Sequence, residues 1–158
     1  MPKILKTMNI EYLQQEIDTI ISSTIQREEK LQAICDVLEN QISYYDWVGF
    51  YFKNGDKNEL KLAQFTGEPT EHTIIPFGKG ICGQVAVSNQ NFVVQDVSAQ
   101  DNYISCGWKV KSEIVIPIFV EGKNIGQLDI DSHTVNPFSK NDEELLESIC
   151  KKVATLFS

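Results

Sequence analysis

The sequence predicts an α+β fold: a central antiparallel β-sheet with N- and C-terminal helices packed on one face and a loop-covered ligand pocket on the other. Three observations support it. Apolar residues recur at helical spacing near both ends, strand-like runs fill the middle, and no strand–helix–strand alternation links those runs. The 158 residues suit one domain spanning 1–158, large enough to bury about two-thirds of the surface its unfolded form exposes.

Two helices open the chain. Ile10, Leu13, Ile17, Ile20 and Ile21 share a helical face, as do Leu31, Ile34, Cys35, Leu38 and Ile42, and Asn9 stands where it can cap the first. Strands follow as a meander. Runs 47–53 and 59–66 flank the hairpin signal Asn54-Gly55-Asp56; then come 92–97, 113–120 and 125–132, the last two joined by Glu121-Gly122-Lys123-Asn124. The final helix carries the stripe Leu145, Leu146, Ile149, Cys150, Val153 and Ala154, opened by Ser139 with Asp142 three residues on. Segments 67–80 and 98–112 fit no element, and loops of that length are uncommon unless they serve a site.

Apolar residues at 42% and charged residues at 23% mark a globular chain. A net charge of −8 argues against nucleic acid or an anionic membrane as partner. No apolar stretch is long enough to span a bilayer, and the start lacks the apolar core of a signal peptide, so a cytoplasmic location is expected. In that reducing setting Cys35, Cys82, Cys106 and Cys150 are expected as thiols. Cys35 and Cys150 lie on apolar helical faces and read as small core residues.

Strand alternation sorts the remaining side chains, because residues two apart point the same way. Val48, Phe50 and Phe52 oppose Trp47, Gly49 and Tyr51; Ile114, Ile116 and Ile118 oppose Glu113, Val115 and Pro117; Leu128 and Ile130 oppose Asp129 and Asp131. One sheet face is therefore apolar, and the other carries Trp47, Tyr51, Glu113, Asp129 and Asp131. Three carboxylates on one face repel unless a cation or a shared proton offsets them, which suits an ammonium-bearing ligand or an acid of raised pKa. A plain solvated face is the alternative.

Cys82 follows the glycine-rich stretch Pro76-Phe77-Gly78-Lys79-Gly80 and precedes a short helix expected at 84–88, where the helix dipole would favour its thiolate. Cys106 lies in the polar segment before Glu113. Taken singly, each could equally be an incidental loop thiol. Cys82, Cys106, His72 and His133 lack the close paired spacing of structural zinc sites, so neither a metal nor another cofactor is expected.

Asp46-Trp47-Val48-Gly49-Phe50-Tyr51, Gly78-Lys79-Gly80-Ile81-Cys82-Gly83, Tyr103-Ile104-Ser105-Cys106, Ser112-Glu113-Ile114-Val115-Ile116-Pro117 and the run from Ile125 to Ser132 occur in an order and at spacings similar to those of the free methionine-(R)-sulfoxide reductases, a GAF-domain family. The likeness runs from about Glu11 into the last helix. It implies a GAF-like fold in which Cys106 attacks the sulfoxide sulfur and becomes a sulfenic acid, and Cys82 resolves that acid as a disulfide re-reduced by thioredoxin or a similar reductant. It further implies that Glu113, Asp129 and Asp131 bind the ammonium group and the sulfoxide oxygen, one of them donating a proton, while Trp47 and Tyr51 wall the methyl end. Two positions depart from the family: His72 stands where a third cysteine is common, and Gly107 where an aspartate usually follows the attacking cysteine. The first directs resolution through Cys82 or an external thiol; the second removes a loop carboxylate.

The alternative is a non-catalytic GAF sensor for a nucleotide-type or other small ligand. Phe138 through Asp142-Glu143 is faintly similar to the end of a cyclic-nucleotide motif, but helix capping explains those residues. A dimerisation module built on the terminal helices is a third reading, and a homodimer through helix faces is compatible with the first.

Overall fold

The computed structural model describes residues 9–100 and 109–158. Helices α1 (Ile10–Ser22) and α2 (Arg27–Gln41) lead into strands β1 (Trp47–Lys53) and β2 (Glu59–Thr66), followed by β3 (Ile74–Pro76), α3 (Gly80–Ser88) and β4 (Phe92–Val94). Strands β5 (Ser112–Val120) and β6 (Lys123–Ser132) and helix α4 (Lys140–Ala154) complete the fold. Among the described residues no helix is long and apolar enough to cross a membrane.

Local chemistry sets the element ends as expected. Asn9 accepts a hydrogen bond from the amide of Tyr12 at 3.0 Å and caps α1. Ser139 donates its amide to Asp142 Oδ2 at 2.8 Å at the start of α4, the reciprocal half of a capping box. Glu121 and Gly122, with φ of 52° and 77°, form the two-residue turn between β5 and β6.

All strand pairs are antiparallel, but the order is β3-β2-β1-β6-β5-β4, not the expected meander. The chain returns β6 to the free edge of β1, so the central strands come from opposite ends of the sequence. Segment 67–80 contains β3, which pairs through Leu60 and Ile75 with the start of β2. The strand expected at 92–97 stops at Val94, and Val97–Ala99 is a 3-10 turn.

The two faces divide as alternation requires. Val48, Phe50, Ile114, Ile116, Ile118, Leu128 and Ile130 pack with Leu13, Ile17, Ile34, Leu38, Leu146 and Ile149 of the helices into one buried core. Cys35 and Cys150 lie within it; burial raises both thiols, and their sulfurs sit 3.7 Å from the carbonyls of Gln64 and Ile116. They are inert core residues. The opposite face is covered by more than loops: Ile81, Cys82 and Val85 of α3 pack against Trp47, Tyr51, Leu60 and Val115 in a second, smaller core.

Candidate active site

The second core has a polar centre. Cross-strand pairing aligns Glu113 of β5 with Asp131 of β6, and Asp131 with Trp47 of β1; one step along, Val115 pairs with Asp129, and Asp129 with Gly49. The register of three strands thus gathers residues that lie far apart in sequence. Glu113, Asp129 and Asp131 are only 4%, 2% and 1% exposed, which removes the solvated-face reading.

Gly49 explains how an indole fits among them. A Cβ there would lie 2.4 Å from the Trp47 ring and 3.0 Å from Phe65 Cβ, so only glycine lets the indole lie flat across β1 and stack on Phe65. Trp47 Nε1 donates to the Glu68 carbonyl at 3.0 Å, and the Tyr51 hydroxyl donates to the His72 carbonyl at 2.8 Å. Both aromatics therefore hold segment 67–73 over the site.

Helix α3 begins at Gly80, earlier than expected, and places Cys82 in its first turn. Gly83 lets the helix dock: a Cβ would come within 2.6 Å of the Pro76 carbonyl. The Gln127 side chain donates to the Cys82 carbonyl at 3.1 Å. The Cys82 thiol points at the acids, donating to Glu113 Oε2 at 3.7 Å. Tyr51, His72, Ile75, Lys79, Cys82, Glu113 and Asp129 line one cavity.

The electrostatics correct one expectation. Burial, and then the charges of Asp129, Glu113 and Asp131, push the Cys82 thiol well above its ordinary range. The dipole of α3 does not make it a thiolate. Burial likewise raises Asp129, against the lowering effect of hydrogen bonds from Glu113 and Cys82. Both shifts favour the protonated form, and a carboxyl group that keeps its proton is what an acid catalyst requires.

Of the residues singled out in the sequence, Trp47, Tyr51, Cys82, Glu113, Asp129 and Asp131 share this face. Cys106 and Gly107 lie outside the described residues. His72 borders the cavity, whereas His133 is half exposed and sits 3.7 Å from Asp46, away from it. Gln127 was missed, although its parity with Asp129 and Asp131 already placed it on the site face.

The GAF domain model matches residues 26–156. The chain belongs to the GAF-domain family. Among curated relatives of this GAF protein, the GAF domain-containing protein A of Dictyostelium discoideum is 35% identical over 146 residues, covering 92% of this chain and 90% of that one. The free methionine-R-sulfoxide reductase of Escherichia coli (strain K12) is 35% identical over 113 residues, covering 72% and 67%. Among solved structures, fRMsr of Staphylococcus aureus in complex with substrate superposes with a TM-score of 0.88 at 34% identity, covering 99% of this chain and 100% of that one. The family and α+β fold expected from the sequence are borne out. Capping also accounts for Asp142: buried, it accepts the hydroxyls of Tyr44 and Tyr45 at 2.8 and 2.6 Å, so those residues form a structural corner on the helical face.

Proposed function

We propose that this GAF protein reduces free methionine-(R)-sulfoxide to methionine, with Cys106 as nucleophile and Cys82 as resolving thiol. The observation that carries the reading is the buried Cys82, Glu113 and Asp129 cluster beside Trp47 and Tyr51, in a chain 34% identical, over 99% of its length, to an fRMsr whose structure is in complex with substrate.

The chemistry follows from the residue types. Cys106 attacks the sulfoxide sulfur while a buried carboxyl group, with Asp129 best placed by its raised pKa, protonates the oxygen. Thiol and sulfoxide become sulfenic acid and thioether, so the oxygen passes to Cys106 and methionine leaves. The Cys82 thiol then attacks the sulfenic sulfur; its proton passes by way of the facing carboxylate to the departing oxygen, which leaves as water with a disulfide formed. A thioredoxin-like dithiol reduces that disulfide. Glu113 and Asp131 are suited to the substrate ammonium, and the Trp47 and Tyr51 rings to its methyl end. The resting Cys82, a protonated thiol, is a poor attacking group, which favours the division of roles.

Purified protein with a dithiol reductant is expected to convert the R epimer of free methionine sulfoxide and not the S epimer. Cys106→Ser abolishes turnover. Activity surviving that substitution overturns the assignment of the nucleophile; no turnover by the unaltered protein, with a small ligand retained through purification, overturns the reductase reading in favour of a sensor.

A further inference from the structure

The donor set at the centre of the cavity has a second chemical capacity. Cys82 Sγ, a Glu113 carboxylate oxygen and an Asp129 carboxylate oxygen all lie within 4.8 Å of one another, and all three residues are buried. The sulfur stands 3.7 Å from Glu113 Oε2. A tetrahedral zinc ion, with bonds of about 2.3 Å to sulfur and about 2.0 Å to oxygen, holds two such atoms about 3.5 Å apart. The spacing already approximates one edge of that tetrahedron.

An independent feature points to the same place. Asp129 is 2% exposed, and its Oδ1 has no hydrogen-bond partner. A buried carboxyl oxygen left so costs free energy that a bound cation would recover. The scaffold is also rigid. Glu113 and Asp129 stand on adjacent strands of the central sheet, and the Gln127 amide fixes the Cys82 carbonyl behind the thiol.

We propose that Cys82, Glu113 and Asp129 form a binding site for a thiophilic divalent cation of the zinc class. Binding replaces the thiol proton and the proton that Asp129 holds: Cys82–SH, the Asp129 carboxyl group and M²⁺ give the metal thiolate–carboxylate and two H⁺, with no change of oxidation state. Three protein ligands leave one position of the tetrahedron open, as in zinc sites that accept an exogenous ligand. Thiolate in the donor set selects zinc-class ions over magnesium and calcium, which take oxygen ligands. Spacing in sequence conceals the site, because the three residues come from α3, β5 and β6. The ion would occupy Glu113, assigned above to the substrate ammonium, and Asp129, assigned to the proton donor, and engage the resolving thiol, so zinc is a reversible inhibitor of the reaction. That consequence rests on the proposed function; the binding itself does not.

The test uses the full chain, reduced with a phosphine and titrated with Co²⁺. The expected result is one equivalent bound, with a thiolate-to-cobalt charge-transfer absorption and the intense visible bands of tetrahedral cobalt. One equivalent of Zn²⁺ displaces it and excess Mg²⁺ does not. Cys82→Ser, shown folded by circular dichroism, loses the charge-transfer band, and Asp129→Asn weakens binding by about tenfold or more. Zn²⁺ raises the unfolding temperature of the unaltered protein and not of Cys82→Ser. A band that persists in Cys82→Ser, or the weak spectrum of octahedral cobalt alone, overturns the site. Because the spectrum is read without turnover, a missing band leaves the reductase standing, and missing turnover leaves the metal site standing.

Discussion

At Cys82 two forces oppose each other. A position in the first turn of α3 favours the thiolate by about 0.3–1 kcal/mol, the scale of a helix-terminus charge interaction. Full burial disfavours it more strongly, and three carboxylates add to that penalty. Burial wins, so the thiol stays protonated. Asp129 obeys the same balance and yields a prediction. Its proton is held more tightly in the folded chain than in the unfolded one, where 3.8 is ordinary. Its contribution to stability is therefore complete below about pH 4 and is lost as pH rises through the elevated folded value. Asn cannot ionise. Asp129→Asn is expected to match the parent near pH 4 and to exceed it increasingly toward pH 8, by about 1 kcal/mol or more, while turnover falls about 10²–10⁴-fold. Thermal unfolding across that range checks the sign. A gap that is flat or reversed with pH means that the carboxylate is not desolvated.

Elements were legible where the cue was local. Strands β1 and β2 have the boundaries that alternation gave, and Asn9 and Ser139 cap the helices they were expected to open. Strand β3 escaped because three residues flanked by turn signals form a strand only when Glu59 to Lys61 are already in place to pair with them. Asp142 was legible as a capping residue, yet its larger role was not, since Tyr44 and Tyr45 reach it from 98 and 97 residues away. That role is measurable. Asp142→Ala removes a cap, worth about 0.5–2 kcal/mol, and takes away the carboxylate that accepts two tyrosine hydroxyls, with a cost of about 1–3 kcal/mol for such a buried acceptor. A loss of about 2–4 kcal/mol in denaturant unfolding is expected, with turnover below the new transition unchanged because the site lies on the other face of the sheet. A loss under about 0.5 kcal/mol, the scale of an ordinary surface substitution, would reduce Asp142 to a surface cap.

The whole molecule is one sheet working in two directions. Its helical face holds an ordinary apolar core, and its other face holds a smaller core that surrounds acids, a thiol and two aromatics. Period-two alternation exposed this division and named five of the site residues, since side-chain parity survives whatever order the strands adopt. Strand order did not follow, because the pairing of β1 with β6 is a contact between chain ends with no local signature. The arrangement couples ligand binding to global stability: Trp47, Glu113, Asp129 and Asp131 stand on the three strands that hold both cores together, and Trp47 and Tyr51 also secure segment 67–73. A ligand that offsets the buried carboxylates stabilises the folded chain alone, since the unfolded chain has no such cluster. Cys106→Ser is expected to abolish turnover, which removes that complication. In that variant, free methionine-(R)-sulfoxide at about 100 times its Kd is expected to add about 2.7 kcal/mol, an increase of about 5–10 °C in Tm for a chain of this size. The S epimer at the same concentration is expected to add far less. Equal shifts from both epimers would mean that the acids recognise only the amino-acid end, and that discrimination at sulfur arises in the chemical step instead of in binding.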